Sequence, residues 1–294
     1  MRTVYLGTSD FAARVLRRLA ASEHRPLLAI TPPDRPKGRG RRLGSPPAAE
    51  AARELGIELH QTEATEAPEA LERIRAAKPE IGIVCAFGQL IREPVLSELE
   101  LLNVHPSLLP RWRGAAPIER AIMAGDDLTG VTIMRVTEGL DSGPIALAEE
   151  IPIEPDDDHG ALAARLAERG GKLLVRALDL RARDELELIE QDDSEATYAE
   201  KIDPGERRLD VSRPAAELER VARALNPHIG MYLELAGGER LGVLSARARP
   251  AGEEDGLVIG TAEGALELLE VRPAGGRAMS AEAYLRGHPP PEVA

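Results

Sequence analysis

The chain has 294 residues, 30% of them charged, with 50 acidic against 37 basic side chains and a formal net charge of −13. That length accommodates two domains of ordinary size, each able to bury a core, and the acidic balance excludes a protein coated all over by nucleic acid. A single cysteine excludes an internal disulfide framework and fits a reducing compartment, and no apolar stretch is long enough for a signal peptide or membrane span, so a cytoplasmic protein without membrane contact is expected.

In chain order, Thr3 to Leu6 reads as the first strand and Asp10 to Ala21 as a helix with Phe11, Val15, Leu16 and Leu19 on its apolar side. The turn between them, Gly7 to Asp10, lacks the Gly-x-Gly-x-x-Gly spacing of a dinucleotide site, and Ser9 or Asp10 suits it as a helix N-cap. Pro26 to Thr31 is a second strand, Pro47 to Leu55 a helix and Ile81 to Ala86 a third strand, in which Cys85 is a small buried hydrophobe rather than a nucleophile. Leu101 to His105 is a fourth strand, and Pro117 to Ala124 a helix with proline in its first turn. Thr129 to Val136 and Ile145 to Ile153 form a late hairpin or edge pair. This alternation predicts an α/β domain, a Rossmann-like parallel sheet over residues 1–203.

Near residue 203 the pattern changes. Pro204-Gly205 and the charged run Glu206 to Arg208 read as a linker into a smaller domain over residues 204–294. A helix from Ala215 to Leu225 carries Leu218, Val221 and Leu225 on one face, and strands around Met231 to Leu235, Leu257 to Gly260 and Leu266 to Val271 suggest a small β-barrel. Six scattered histidines and one cysteine offer no ligand-spaced cluster, so no metal is expected.

Asn103 to Ile118 is the most informative stretch. Strand side chains alternate, so Asn103 and His105 point to one face, and Pro106 ends the strand at a place where open α/β sheets carry their active sites. Glu138 to Gly143 forms a glycine-bracketed turn presenting Asp141. Amide, imidazole and carboxylate together suit acyl transfer to an amine: donors for a developing oxyanion and an acceptor for the amine's proton. On spacing alone, a strand-end histidine that caps backbone groups remains equally open.

Pro32 to Pro47 has Leu43 as its only large apolar side chain and crowds Arg35, Lys37, Arg39, Arg41 and Arg42 into eight positions, interleaved with Gly38 and Gly40. It reads as an unstructured basic arm for a phosphate backbone, with Arg111 and Arg113 beside Trp112 as an extension of that surface. Trp112 can stack on a base or belong to the core.

Asn103 to Ile118, Gly130 to Met134 and Gly139 to Gly143 resemble the formyltransferases that use 10-formyltetrahydrofolate, and within that superfamily the methionyl-tRNA formyltransferases. Gly7 to Ala12, Pro33 to Gly40, Thr197 to Lys201, Arg272 to Gly275 and Ala278 to Ala281 extend the match over nearly the whole chain. The resemblance implies that Asn103, His105 and Asp141 are the catalytic trio. It further implies that Ser107, Leu108, Leu109 and Pro110 help hold the folate, with Phe87, Gly88 and Gln89 lining the pterin pocket. The second domain would be an OB-like barrel touching tRNA, and methionyl initiator tRNA and the folate would be the partners of a monomeric enzyme. Where the family often has Asn-Pro-Trp-Pro, this chain has Asn226-Pro227-His228-Ile229, and Pro106 stands where glycine is common. A formyltransferase for an amino-sugar nucleotide or glycinamide ribonucleotide, and a non-catalytic folate or RNA-binding module, are the alternatives.

Overall fold

The computed structural model describes residues 1–37, 42–252, 255–291 and 293. Its elements run β1 (Thr3–Gly7), α1 (Asp10–Ala20), β2 (Pro26–Thr31), β3 (Arg35–Lys37), β4 (Arg42–Gly44), α2 (Pro47–Glu54), β5 (Glu58–Gln61) and α3 (Pro68–Ala77). There follow β6 (Ile81–Cys85), α4 (Val95–Glu98), β7 (Leu101–His105), β8 (Arg113–Gly114), α5 (Pro117–Ala124), β9 (Leu128–Arg135), β10 (Ile145–Pro152), α6 (His159–Ala182) and β11 (Tyr198–Ala199). The C-terminal part adds α7 (Ala215–Leu225), β12 (Met231–Glu234), β13 (Arg240–Arg249), β14 (Val258–Gly260), β15 (Ala265–Arg272), β16 (Met279–Ser280) and α8 (Ala281–Leu285).

These elements group into two compact units. The first comprises Met1–Gly114, Leu128–Pro152 and Ala163–Tyr198; the second gathers Ala115–Asp127, Ile153–Leu162 and Ala199–Ala294.

In the first unit, seven strands form one sheet in the order β10-β9-β7-β6-β1-β2-β5. The five from β5 to β7 are parallel; β9 runs antiparallel to β7 and β10 antiparallel to β9. All five residues of β1 are buried, as an apolar strand covered on both faces should be. Ser9 caps α1, its hydroxyl accepting from the Ala12 N–H at 3.3 Å, and Phe11, Val15, Leu16 and Leu19 lie buried beneath it. The edge pair expected after residue 128 is present as β9 and β10.

The 24-residue helix α6 had no counterpart in the sequence reading. Gly170 and Gly171 interrupt its middle and read locally as a break. The structure gives the reason for both. A Cβ on Gly170 would meet Val104 Cγ1 at 2.9 Å, and one on Gly171 would meet Arg18 Cβ at 2.9 Å. The glycines let α6 lie close against the sheet and α1, and that packing outweighs their propensity cost of about 1 kcal/mol each.

In the second unit, β12, β13, β15 and β14 form an antiparallel sheet in that order, with β16 on β15. Leu218, Val221 and Leu225 of α7 pack into one apolar cluster with Leu233, Val243, Ile259 and Leu268. The segment expected as a linker is an ordered 3-10 turn, Pro204–Arg207, closed by a capping box between Asp203 and Glu206. Arg120 on α5 grips Glu206 at 2.6 Å. Among the described residues, no helix is long and apolar enough to cross a membrane.

Candidate active site

The site is built on the carboxyl end of β7. This strand reads buried, buried, half-buried, buried, buried, and the half-buried position is Asn103. In register, Asn103 faces Met134 and His105 faces Thr132 across β9, so both side chains leave the same face of the sheet. One strand neighbour on each side, β6 and β9, holds β7 in place.

Asp141 reaches them from the turn between β9 and β10. Its Oδ1 accepts from Asn103 Nδ2 at 3.3 Å, and its Oδ2 lies 3.7 Å from His105 Nδ1. The same Oδ2 accepts the Gly114 backbone N–H at 3.0 Å. The expected trio therefore converges, joined by a backbone donor, the Gly114 N–H, that the sequence does not reveal.

The imidazole has a defined polarity. His105 Nε2 lies 2.9 Å from the Trp112 carbonyl, which can only accept, so Nε2 carries a proton and Nδ1 is the nitrogen turned toward Asp141. His105 thus does cap a backbone group, and it faces the carboxylate with its other nitrogen. A single ring serves both readings. The His105 side chain is 4% exposed and that of Asp141 18%, so charge developing here is poorly screened by water.

Asp141 is held in a left-handed conformation, φ 46°, unusual for a residue with a side chain. Gln191 is what ties it down. Its Nε2 donates to the carbonyls of Asp141 (2.8 Å) and Gly143 (2.7 Å), while its Oε1 accepts from Arg113 Nε and Nη2 at 3.0 and 2.8 Å. Arg113 also pairs with Asp193 at 2.8 Å. Arg113 is 3% exposed, so it is a buried brace for this turn and not the outward RNA contact expected from its charge. Gln191 escaped the sequence reading because it lies in a polar stretch without periodicity. Its only signal was its closeness to the Thr197 to Lys201 match.

The segment after β7 is tightly tied. Ser107, fully buried, donates from Oγ to the Arg111 carbonyl at 2.6 Å, and Thr132 Oγ1 bridges the Ser107 carbonyl and the Leu109 N–H at 2.7 and 3.2 Å. Leu108 is half-buried and Leu109 buried, so Ser107 to Pro110 offers a preformed wall. Trp112 adopts φ 62°, with the Arg111 guanidinium 4.4 Å over its ring. One face of that indole is therefore already stacked.

Beyond β6, the chain turns through Ala86 (φ 41°) and Gly88 (φ 71°). Phe87 is 3% exposed and belongs to the core cluster with Val4, Leu6, Leu28 and Ile30, so it supports the loop from beneath. Gln89 donates from Nε2 to the Thr62 carbonyl at 2.9 Å, while its Oε1 is buried without a hydrogen-bond partner. Buried acceptors of that kind cost free energy until something donates to them. Cys85 is buried as expected, and burial pushes its thiol up to about 12.

The basic stretch is not wholly unstructured. β3 and β4 pair as a short antiparallel hairpin, Arg35 with Gly44, Pro36 with Leu43 and Lys37 with Arg42. Gln61 holds its stem, donating to the Pro32 carbonyl at 3.0 Å and to Asp34 Oδ1 at 2.9 Å. Arg35 is exposed and paired with Glu63 at 2.7 Å. Arg39 and Arg41 lie outside the described residues, as do the side chains of Lys37 and Arg42.

The expectation that the histidines would form no cluster is corrected in the second unit. His159 and His228 stack there beside Glu119. Long sequence separations hid this grouping.

Comparison with known proteins gives a consistent picture. The pattern of the family described as formyl transferase matches residues 1–178, and that of the formyl transferase C-terminal domain matches residues 201–289. The chain is 44% identical over 299 residues to the methionyl-tRNA formyltransferase of Halorhodospira halophila, covering 97% of this chain and 96% of that protein. It is 42% identical to the one from Methylococcus capsulatus, covering 98% and 97%. Among solved structures, WlaRD, a sugar 3N-formyl transferase, superposes with a TM-score of 0.66 at 15% identity, over 90% of this chain and 96% of that one. HypX from Aquifex aeolicus in complex with tetrahydrofolic acid gives 0.64 at 18% identity, over 97% of this chain and 47% of that one. At those identities the two structures bear on the fold alone.

Proposed function

Because this chain belongs to the formyl transferase family, we propose that it transfers the formyl group of 10-formyltetrahydrofolate to the α-amino group of methionine esterified to initiator tRNA. The observation that carries the reading is the convergence of Asn103, His105 and Asp141 at one strand end in a chain so similar to methionyl-tRNA formyltransferases over its whole length.

In this reading the amine attacks the formyl carbon directly. Asn103 Nδ2 donates to the formyl oxygen as it becomes an oxyanion, and His105 Nδ1 donates to it once protonated. The Asp141 carboxylate, already accepting from Asn103 and Gly114, takes the proton that the ammonium must lose. Collapse of the tetrahedral intermediate breaks the bond to N10 of the folate, which leaves with a proton delivered from the same trio. No covalent enzyme intermediate is required, and buried Cys85 takes no part.

The residues present suit the folate. Gln89 Oε1, buried and unpartnered, is an acceptor for the amino-pyrimidine edge of a pterin, and Gly88 opens the backbone next to it. Ser107 to Pro110 forms the opposing wall. The basic stretch bearing Arg35, Lys37, Arg39, Arg41 and Arg42 grips the tRNA backbone, assisted by residues 204–294, while residues 1–203 carry the chemistry. The trio comes from a single chain, so the proposed chemistry needs no residue of a second subunit.

An acceptor assay tests the proposal. Purified protein with 10-formyltetrahydrofolate should formylate methionyl initiator tRNA far faster than methionyl elongator tRNA, an amino-sugar nucleotide or glycinamide ribonucleotide. Preference for either small acceptor would overturn it, as would folate or tRNA binding without turnover.

A further inference from the structure

Glu119 on α5, His159 at the start of α6 and His228 in the connection from α7 to β12 come from three separate stretches of the second unit. Their ligand-capable atoms all lie within 4.8 Å of one another. His228 Nε2 donates to Glu119 Oε1 at 2.8 Å, and His159 Nε2 lies 3.6 Å from the same oxygen. The Glu119 and His159 side chains are 12% and 17% exposed, and that of His228 32%. None of the three belongs to the site described above.

We propose that these three side chains form a binding site for a divalent transition-metal ion of the zinc class, with two imidazole nitrogens and one carboxylate as protein ligands and solvent in the remaining position. Two histidines and one carboxylate are a donor set that zinc accepts in open, four-coordinate sites. Donors around a tetrahedral ion at about 2.1 Å stand about 3.4 Å apart, and the observed separations of 2.8 and 3.6 Å bracket that spacing.

One rearrangement is required. The two rings stack with centroids 3.5 Å apart and planes inclined by 19°, so their lone pairs run side by side rather than converging. Loading exchanges the hydrogen bond from His228 to Glu119 for a metal bond, moves the remaining ring proton of His228 to Nδ1, and turns that ring off the stack. His228 is the most exposed of the three and the freest to turn. An ion there ties α5, the first turn of α6 and the α7–β12 connection together, and stabilises the folded protein by mass action.

The test uses the untagged full-length protein, stripped with a chelator and titrated with Zn²⁺ alone by calorimetry and equilibrium dialysis. The expected result is one Zn²⁺ per chain with micromolar or tighter affinity, a higher thermal midpoint on loading, and no competition from Mg²⁺. His159→Gln and His228→Gln should each weaken binding about tenfold or more. X-ray absorption at the zinc edge of the wild-type protein, which depends on no variant, should report two imidazole ligands. An all-oxygen shell, less than one equivalent bound, or undiminished affinity in the double variant would overturn the proposal and leave the trio as a carboxylate shared by two stacked rings.

Discussion

Replacing Gln191 with leucine removes the tie that holds the carboxylate proposed as the base, and the structure lets the effect be sized. Gln191 makes two amide-to-carbonyl bonds to the Asp141 turn, together worth about 2 kcal/mol net. Against them stands the left-handed φ of Asp141, 46°, which costs a residue with a side chain about 1–2 kcal/mol. The turn is therefore held by a narrow margin, and the Gly114 bond anchors only the carboxylate, not the backbone beneath it. Gln191→Leu also strips the buried Arg113 of two acceptor contacts, leaving Asp193, at a further cost of about 1–3 kcal/mol. Stability should fall by about 3–5 kcal/mol in chemical denaturation. Once the turn relaxes, a displacement of about 1 Å at the carboxylate should lower kcat about a hundredfold. The KM for the folate should change little, because Asp141 acts on the amine. Gln191→Glu separates the two roles: it still accepts from Arg113 but cannot donate to the Asp141 and Gly143 carbonyls. Its stability should exceed that of Gln191→Leu while its kcat stays low. Single-turnover formyl transfer beside urea unfolding reads both quantities. If Gln191→Leu keeps wild-type kcat, or Gln191→Glu restores it, the positioning argument is wrong.

Asn103→Ala should lower kcat by the loss of one oxyanion donor, about 2.7–4 kcal/mol or two to three orders of magnitude, with folate affinity measured by fluorescence quenching nearly unchanged. Changing Arg39, Arg41 and Arg42 together to Ala should raise the KM for tRNA and reduce the slope of log affinity against log salt by about 2–3, with no change in folate binding. The Arg120 hydrogen bond holds the Glu206 carboxyl below its usual range, so its contribution to stability is present above the unfolded-state value and is lost as pH falls through the folded one. Denaturation between neutral pH and the carboxylate range should therefore show a shallower acid decline in Glu206→Gln, by no more than about 1 kcal/mol because the pair is partly solvated.

Particular residues explain what the sequence made legible. Alternation at Asn103 and His105 was enough to place two polar groups on one face of β7, because strand geometry leaves no freedom once the strand is buried. The apolar face of α1 and its Ser9 cap were equally local signals. α6 was hidden by its two glycines, which are there for contacts with Val104, Val131 and Arg18 that only the tertiary fold reveals. Arg113 misled because a charge beside a tryptophan reads as surface, whereas two partners from distant sequence, Gln191 and Asp193, make its burial tolerable. Phe87 lies in a stretch matched to ligand binding, and its side chain also belongs to the core cluster beneath that stretch. In each case the missing information was long-range pairing.

The division of labour within the trio follows the same physics. Asn103 and His105, which must present donors at fixed points, lie on a strand clamped between two others. Asp141, which in the proposed mechanism accepts a proton and gives it up within one turnover, sits on a turn whose backbone strain and hydrogen bonds nearly balance. A carboxylate so held can shift by a fraction of an ångström at little cost, while the strand-borne donors cannot. Removing the charge while keeping the turn is therefore a sharper probe than weakening the turn. Asp141→Asn keeps the size and the left-handed preference but removes the charge, so it should fold as well as the wild type and still fail to turn over. Turnover surviving in that variant would mean the proton leaves by another route, and the case for Asp141 as the base would fall with it.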